Sequence, residues 1–236
     1  MYTRPSLVPE LTTFVEGQLW TARAPLRFYG VPMGCRMTVC RLGDGRLFVH
    51  SPIALDTVRE ALDRIGEVAY AIAPNFIHHL FMAPFLAAYP AAQLFVSPKL
   101  VSKRGDLDPQ GVLGDEPPED TWGDTIDQLV VRGSRLMDEV VFLHRPSRTL
   151  ILCDLCQCMH ADAPWLWRQV GRLIGIYQRY GPPIDMKVSF RDREALRNFV
   201  ERVLDWDFDR IVLSHGNLVE RGGKDVFRRA YGFCLS

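Results

Sequence analysis

Few residues in this chain can hold a metal or move a proton, and most of them fall at the ends of apolar runs. There are six histidines in total, and two of them, His78 and His79, stand side by side in "AIAPNFIHHLFMAPF" (71–85). Further on, "TLILC" runs into Asp154, "RIVLS" runs into His215 and Gly216, and "EVVFL" ends at His144. Strand ends facing loops are where α/β-type folds collect their sites, because the strand is rigid and the loop is open. Three histidines and one carboxylate form a ligand set that suits Zn²⁺ or Fe²⁺. Each residue also has a structural alternative. A lone histidine at a strand end can be a hydrogen-bonded structural group, and Asp154 can cap a helix. Four such residues after four separate strands argue for a shared site.

The cysteines pose a second question. Cys35, Cys40 and Cys234 are scattered, whereas "CDLCQC" clusters Cys153, Cys156 and Cys158. Cys153 and Cys156 have the spacing of a metal or thiol-exchange pair. They can equally be small core residues at a strand end, since free cysteine is often buried. Without an export signal, disulfides are not expected.

Positioning such groups requires a sizeable core, and 236 residues suffice for one large domain spanning 1–236. The chain is 47% apolar and 24% charged, an ordinary globular balance. With 28 basic and 28 acidic residues, its overall charge makes no case for nucleic acid or an anionic membrane as a partner. No window approaches the roughly 20 apolar residues that span a bilayer, and no charged start precedes an apolar run. A cytoplasmic protein acting on a small-molecule substrate is expected, and association into a homodimer is left open.

The elements follow from periodicity. "QLWTARA" (18–24), "CRMTVCRL" (35–42) and "RLFVHSP" (46–52) read as strands, the last two joined by a "GDG" hairpin turn. "LDTVREALDRIG" (55–66) predicts an amphipathic helix, "EVAYAIAP" (67–74) a buried strand, "HHLFMAPFLAAYP" (78–90) a second helix and "AQLFVSP" (92–98) a strand. Residues 99–124, rich in Pro, Gly and Asp, predict a long irregular loop. Strands at 127–133, 138–144 and 148–154 lead to a helix over 163–181. A helix over 192–206, a strand over 210–216 and a helix over about 222–233 complete the chain. Two β-rich halves, each followed by helices, predict an α/β fold in which two facing sheets are covered by helices.

The order of ligands and elements resembles the metallo-β-lactamase superfamily. "HSPI", "APNFIHHLF", "EVVFLHRPSRTLILCDL" and "VLSHG" are similar to an uncharacterised branch of it found in bacteria and plants. The resemblance covers roughly residues 15–220 and implies an αββα four-layer sandwich. It also implies a site in which the family's H-x-H-x-D-H motif is degenerate. His79 takes the place of the motif's last histidine and His78 that of its aspartate. The first two motif histidines fall on Pro74 and Phe76, and "RGSRLMDE" (132–139) lacks the histidine the family carries there. What remains is a single-metal set of His78, His79, Asp154 and His215, holding one divalent ion, zinc first and iron second. His144 is a candidate fifth ligand or supporting hydrogen bonder, and His50 a weaker candidate for the same role. His160 reads as a loop residue.

The chemistry implied is hydrolysis of an ester, lactone, thioester or amide by metal-activated water, with Asp154 also orienting the nucleophile. Ser147 and Arg148 are candidates for binding an anionic substrate group, or else form a turn before a strand. Two rival readings stay open: an iron protein handling oxygen or electrons, and a non-catalytic binding or scaffold protein. In the last, Trp165, Trp167, Tyr177 and Tyr180 would form a partner surface rather than cover the sheet.

Overall fold

The computed structural model describes residues 8–28, 31–32, 34–161 and 163–235. The first half runs β1 (Leu11–Val15), β2 (Leu19–Ala24), a ribbon of β3 (Arg27–Phe28) and β4 (Val31–Pro32), β5 (Cys35–Arg41) and β6 (Leu47–His50). It continues with α1 (Arg59–Ile65), β7 (Val68–Ala73), α2 (Met82–Ala88), β8 (Gln93–Val96), α3 (Pro98–Lys103) and β9 (Gly111–Val112). The second half contains β10 (Ile126–Val130), β11 (Val140–His144), β12 (Thr149–Leu152), α4 (Trp165–Leu173) and α5 (Ile184–Ser189). It ends with α6 (Arg193–Asp205), β13 (Arg210–Leu213), α7 (Gly223–Ala230) and α8 (Gly232–Leu235).

One sheet has the order β1-β2-β5-β6-β7-β8-β9 and the other β10-β11-β12-β13. β6, β7 and β8 are mutually parallel, as are β12 and β13. Their sequences are continuous apolar runs because these strands are buried on both faces. Alternation sorts each strand between two cores. Phe48 and Ile72 meet Phe142, Ile151 and Val212 from the facing sheet. Leu47, Val49, Ala71 and Ala73 pack outward against Leu62, Met82 and Phe85 of the helices. On the far side, Leu150, Leu152 and Leu213 pack against Phe199, Val203 and Phe227. Four layers result, in the order αββα that the sequence resemblance implies.

Local chemistry sets the ends of the elements. The "GDG" hairpin closes with Leu42 N–H donating to Arg46 O at 2.8 Å, while Gly45 takes a φ of 88° that few side chains tolerate. The helix predicted from residue 78 starts only at Met82. Before it, Asn75 Oδ1 accepts the backbone N–H groups of Ile77 and His78, both at 2.9 Å, and folds this stretch as a turn. The helix predicted over 163–181 stops at Leu173, and Gly175 at φ 83° turns the chain away. α4 does not cover a sheet with its aromatic face as predicted. Gly171 is its one fully buried residue, packed on Met159, and Trp165 is 66% exposed.

The segment predicted as an irregular loop (99–124) contains α3 and β9 and is anchored by a large core residue. Trp122 is 1% exposed and lies edge-on to Phe48, Tyr70 and Phe95, with ring centroids 5.1, 5.0 and 4.8 Å away. Its indole N–H donates to Gln128 Oε1 at 3.0 Å. Trp122→Ala is expected to cost about 3–5 kcal/mol of unfolding free energy in urea titration. A loss under about 1 kcal/mol would show that the segment is not pinned through this ring.

Candidate metal centre

The parallel strands of both sheets end at the same edge of the sandwich, and three of the sequence-predicted ligands meet there. His78 follows β7 across the Asn75 turn, Asp154 follows β12, and His215 follows β13. His78 Nε2 lies 3.3 Å from Asp154 Oδ2. His215 Nε2 lies 3.2 Å from Asp154 Oδ1 and 3.2 Å from His78 Nε2. All three side chains are almost fully covered, with exposures of 6%, 8% and 9%.

These spacings test whether the residues fit a metal. Donors about 2.0–2.1 Å from a tetrahedral ion stand about 3.3 Å from one another; the two imidazole nitrogens match this spacing, each faces its own oxygen of Asp154, and with one oxygen for the aspartate all three donors lie within 4.8 Å of one another. Protonation gives the same answer. His215 Nδ1 lies 2.7 Å from the carbonyl of Gly34, which can only accept, so Nδ1 carries the proton and Nε2 offers a lone pair in the neutral ring. His78 Nδ1 lies 2.7 Å from Ser51 Oγ, a partner that can accept the corresponding proton. With both rings neutral in that form, two imidazole lone pairs and a carboxylate converge, and the cluster repels itself unless a cation shares it. Outer hydrogen bonds of this kind are how ligating histidines are oriented.

A second set of groups holds the triad in place, and sequence reading did not single it out. Glu139, fully buried just before β11, accepts the backbone N–H groups of Cys153 and Asp154 at 2.7 Å and of Leu155 at 3.3 Å. Asn75 Nδ2 is 3.1 Å from Glu139 Oε2 and 2.9 Å from Asp154 Oδ2, tying the His78 turn to the aspartate. Gln157 Nε2 donates to Asp154 Oδ1 at 3.3 Å. Burial alone would raise the Asp154 carboxyl, but protonated His78 and His215 facing it outweigh burial and hold the group well below the usual carboxylate range; with the rings neutral, a bound cation would take over that role. Burial, and then the charge of Asp154, pushes Glu139 up.

His215 is fixed from below. Gly216 has a φ of 114°, and a Cβ there would lie 1.8 Å from Cys158 O, so the residue after this histidine must be glycine. Cys158 N–H donates to His215 O at 3.1 Å. Arg36 of β5, 5% exposed, donates to Leu213 O and, at 3.0 Å, to Gly216 O, fastening the first sheet to the end of β13. Burial, and then Arg23, lowers the Arg36 guanidinium to about 10.

The remaining candidates lie elsewhere. His79 is outside the donor cluster, with Nδ1 accepting from Arg104 Nη1 at 2.8 Å. His144 pairs with Thr149 at the start of β12, the opposite end from Asp154, because β11 and β12 are antiparallel. There its Nδ1 is 2.7 Å from Ser147 Oγ and its Nε2 donates to Arg41 O at 3.0 Å, so it neither joins the triad nor supports it. Ser147 and Arg148 share that remote turn. Ser147 is buried, Arg148 pairs with Asp207 at 2.6 Å, and the turn reading is the one the geometry fits. Cys153, Cys156 and Cys158 are buried free thiols raised by burial, and Cys153 Sγ accepts from Ser214 Oγ at 3.0 Å. None of the three belongs to the donor cluster.

His50 is fully buried at the end of β6, edge-on to Phe142 at 5.5 Å, with neither ring nitrogen hydrogen-bonded among the described residues. Burial first, and His78 second, lower it from 6.5 to about 3. The folded ring therefore refuses a proton that the unfolded chain accepts. Stability is unaffected above pH 6.5 and falls as pH drops from there toward about 3. His50→Leu is expected to flatten that acid-side fall without loss of stability at pH 8, read from urea midpoints across pH. An unchanged acid slope would assign the fall to other groups.

The geometry has counterparts among known proteins. The family model "Domain of unknown function (DUF4336)" matches residues 16–174. No curated protein matches the chain. Among solved structures, the DIM-1 metallo-β-lactamase superposes with a TM-score of 0.66 at 12% identity, covering 95% of this chain and 97% of that one. A metallo-β-lactamase from Pontibacter korlensis gives 0.61 at 10% identity, over 97% and 100% of the two chains. The FIM-1 metallo-β-lactamase from Pseudomonas aeruginosa, in its mono-zinc form, gives 0.63 at 10% identity over 98% and 99%. Likeness at such identities establishes the fold and leaves chemistry to the residues. The chain belongs to the DUF4336 family, a domain of unknown function, and is built on the metallo-β-lactamase fold.

Proposed function

We propose that the protein is a hydrolase with a single divalent metal held by His78, Asp154 and His215. The observation that carries this reading is the convergence of three donors within 4.8 Å, the two imidazole Nε2 atoms 3.2 Å apart, with His215 locked in the tautomer that presents Nε2. Zinc is the first choice for two imidazoles and one carboxylate, and iron the second. One structural neighbour is a mono-zinc form, which fits a one-metal site. A metal at these atoms would supply Lewis acidity and a water activated near neutral pH, suited to an ester, lactone, thioester or amide carbonyl.

The chain's own residues would do the rest. Asp154, held ionised, keeps one oxygen toward each histidine and can accept a hydrogen bond that orients an attacking water. Asn75 and Gln157 donate to that carboxylate from opposite oxygens and stop it rotating. Glu139 keeps the turn carrying Asp154 in register by accepting three consecutive backbone N–H groups. The low exposure of the triad excludes bulk water and strengthens each electrostatic contact.

Protein purified without chelator is expected to carry about one zinc or iron per chain by elemental analysis. His78→Ala, Asp154→Asn and His215→Ala should each abolish metal uptake and turnover of a panel of ester, lactone, thioester and amide substrates. Asn75→Ala should weaken metal binding about 10–100-fold by releasing the carboxylate. His79→Ala and Cys156→Ser should retain the metal. Protein that stays metal-free after Zn²⁺ or Fe²⁺ is added would refute the assignment and leave a binding or scaffold role. Metal lost in the Cys156→Ser variant would move the site to the cysteine cluster.

A further inference from the structure

Half of the large apolar residues that the described chain exposes belong to α4 and α5. Leu166 and Leu173 are 58% and 80% exposed, Ile184 and Val188 are 54% and 57%, and Trp165 is 66%. Leu166 and Leu173 are seven residues apart and so lie on one side of α4. Ile184 and Val188 are four apart and share a side of α5. The two helices are joined by Ile184 N–H donating to Ile174 O at 3.1 Å. Exposed apolar residues concentrated on two joined helices mark an interaction site.

Charge identifies the partner. The whole chain is neutral, yet residues 164–191 contain five basic side chains (Arg168, Arg172, Arg179, Lys187 and Arg191) against one acidic, Asp185. Among the described residues none of these five forms an ion pair, and Arg172 and Lys187 lie instead over the rings of Tyr177 and Phe233. α4 thus has leucines on one side, Arg168 and Arg172 on another, and an exposed tryptophan at its first turn. That is the composition of a helix lying in the interfacial plane of a bilayer. A second copy of the chain is disfavoured, because a two-fold contact would set the same positive patch against itself. The exposed leucines and tryptophan also need no matching pocket in a lipid phase, which deforms around them.

We infer that the α4–α5 face docks peripherally on an anionic lipid surface, with the leucines and Trp165 in the headgroup–acyl boundary and the arginines against the headgroups. No described helix is long and apolar enough to cross a membrane, so the contact is lateral. The overall charge balance hides this patch, which is why the sequence made no case for it.

The full-length protein should co-sediment with phosphatidylglycerol/phosphatidylcholine vesicles and not with phosphatidylcholine alone, and raised salt should release it. Leu166→Ser with Leu173→Ser, both at exposed positions, should weaken binding at least tenfold while leaving the thermal midpoint in place. Arg172→Gln and Arg179→Gln should each weaken it about fivefold. Binding that is equal on neutral vesicles, or unaffected by these substitutions, would overturn the inference. So would a lack of vesicle binding at low salt, whether or not sedimentation equilibrium then finds a dimer or a complex with an acidic protein.

Discussion

The carboxylate of Glu139 is the point on which the rest of the site depends. It is buried where the two sheets approach each other and accepts N–H groups from three consecutive residues, Cys153, Asp154 and Leu155. Through Asn75 it also reaches the turn that carries His78. A strand end that leaves a sheet exposes donors with no ladder partner, and in a buried place these must be met. Glu139 meets them, and in doing so sets the position of Asp154. The neighbouring Asp138 works the same way, accepting Phe76 N–H at 3.2 Å and Lys99 N–H at 2.7 Å. One edge of the second sheet is thereby sewn to the loops of the first.

Electrostatic cost accompanies this arrangement. Two carboxylates, Glu139 and Asp154, share a buried region, and each disfavours the other's charge. Asp154 stays ionised where positive charge faces it, on protonated His78 and His215 or on a cation held between them. Such clustering of titratable groups in a buried place costs stability and is common at functional sites. His50 adds to the cost, as a fully buried imidazole with neither nitrogen hydrogen-bonded among the described residues.

Much of this was legible in the order of residues. The apolar runs ending at His78, Asp154 and His215 are rigid strands, and their ends do converge. His144 ends an equally apolar run yet lies at the far edge, because β11 is antiparallel to β12 and the periodicity of a strand is blind to its direction. His79 is one residue from His78, and only the path of the turn places it beside Arg104 rather than in the triad. Asn75 and Glu139 had no motif to reveal them, since Asn75 meets the Asp154 carboxylate about eighty positions away and Glu139 meets backbone N–H groups about fifteen positions away.

The sequence by itself determined most of the strands, the layered class of fold and the strand ends on which ligands could sit, because hydrophobic alternation and turn chemistry act over a few residues. Tertiary structure alone decided which ligands share a site. Strand direction and sheet order bring His78, Asp154 and His215 within 3.3 Å of one another while sending His144, Ser147 and Arg148 away. It also decided that α4 turns its leucines to solvent, since the packing of Gly171 on Met159, and no property of the helix itself, chooses which face is covered.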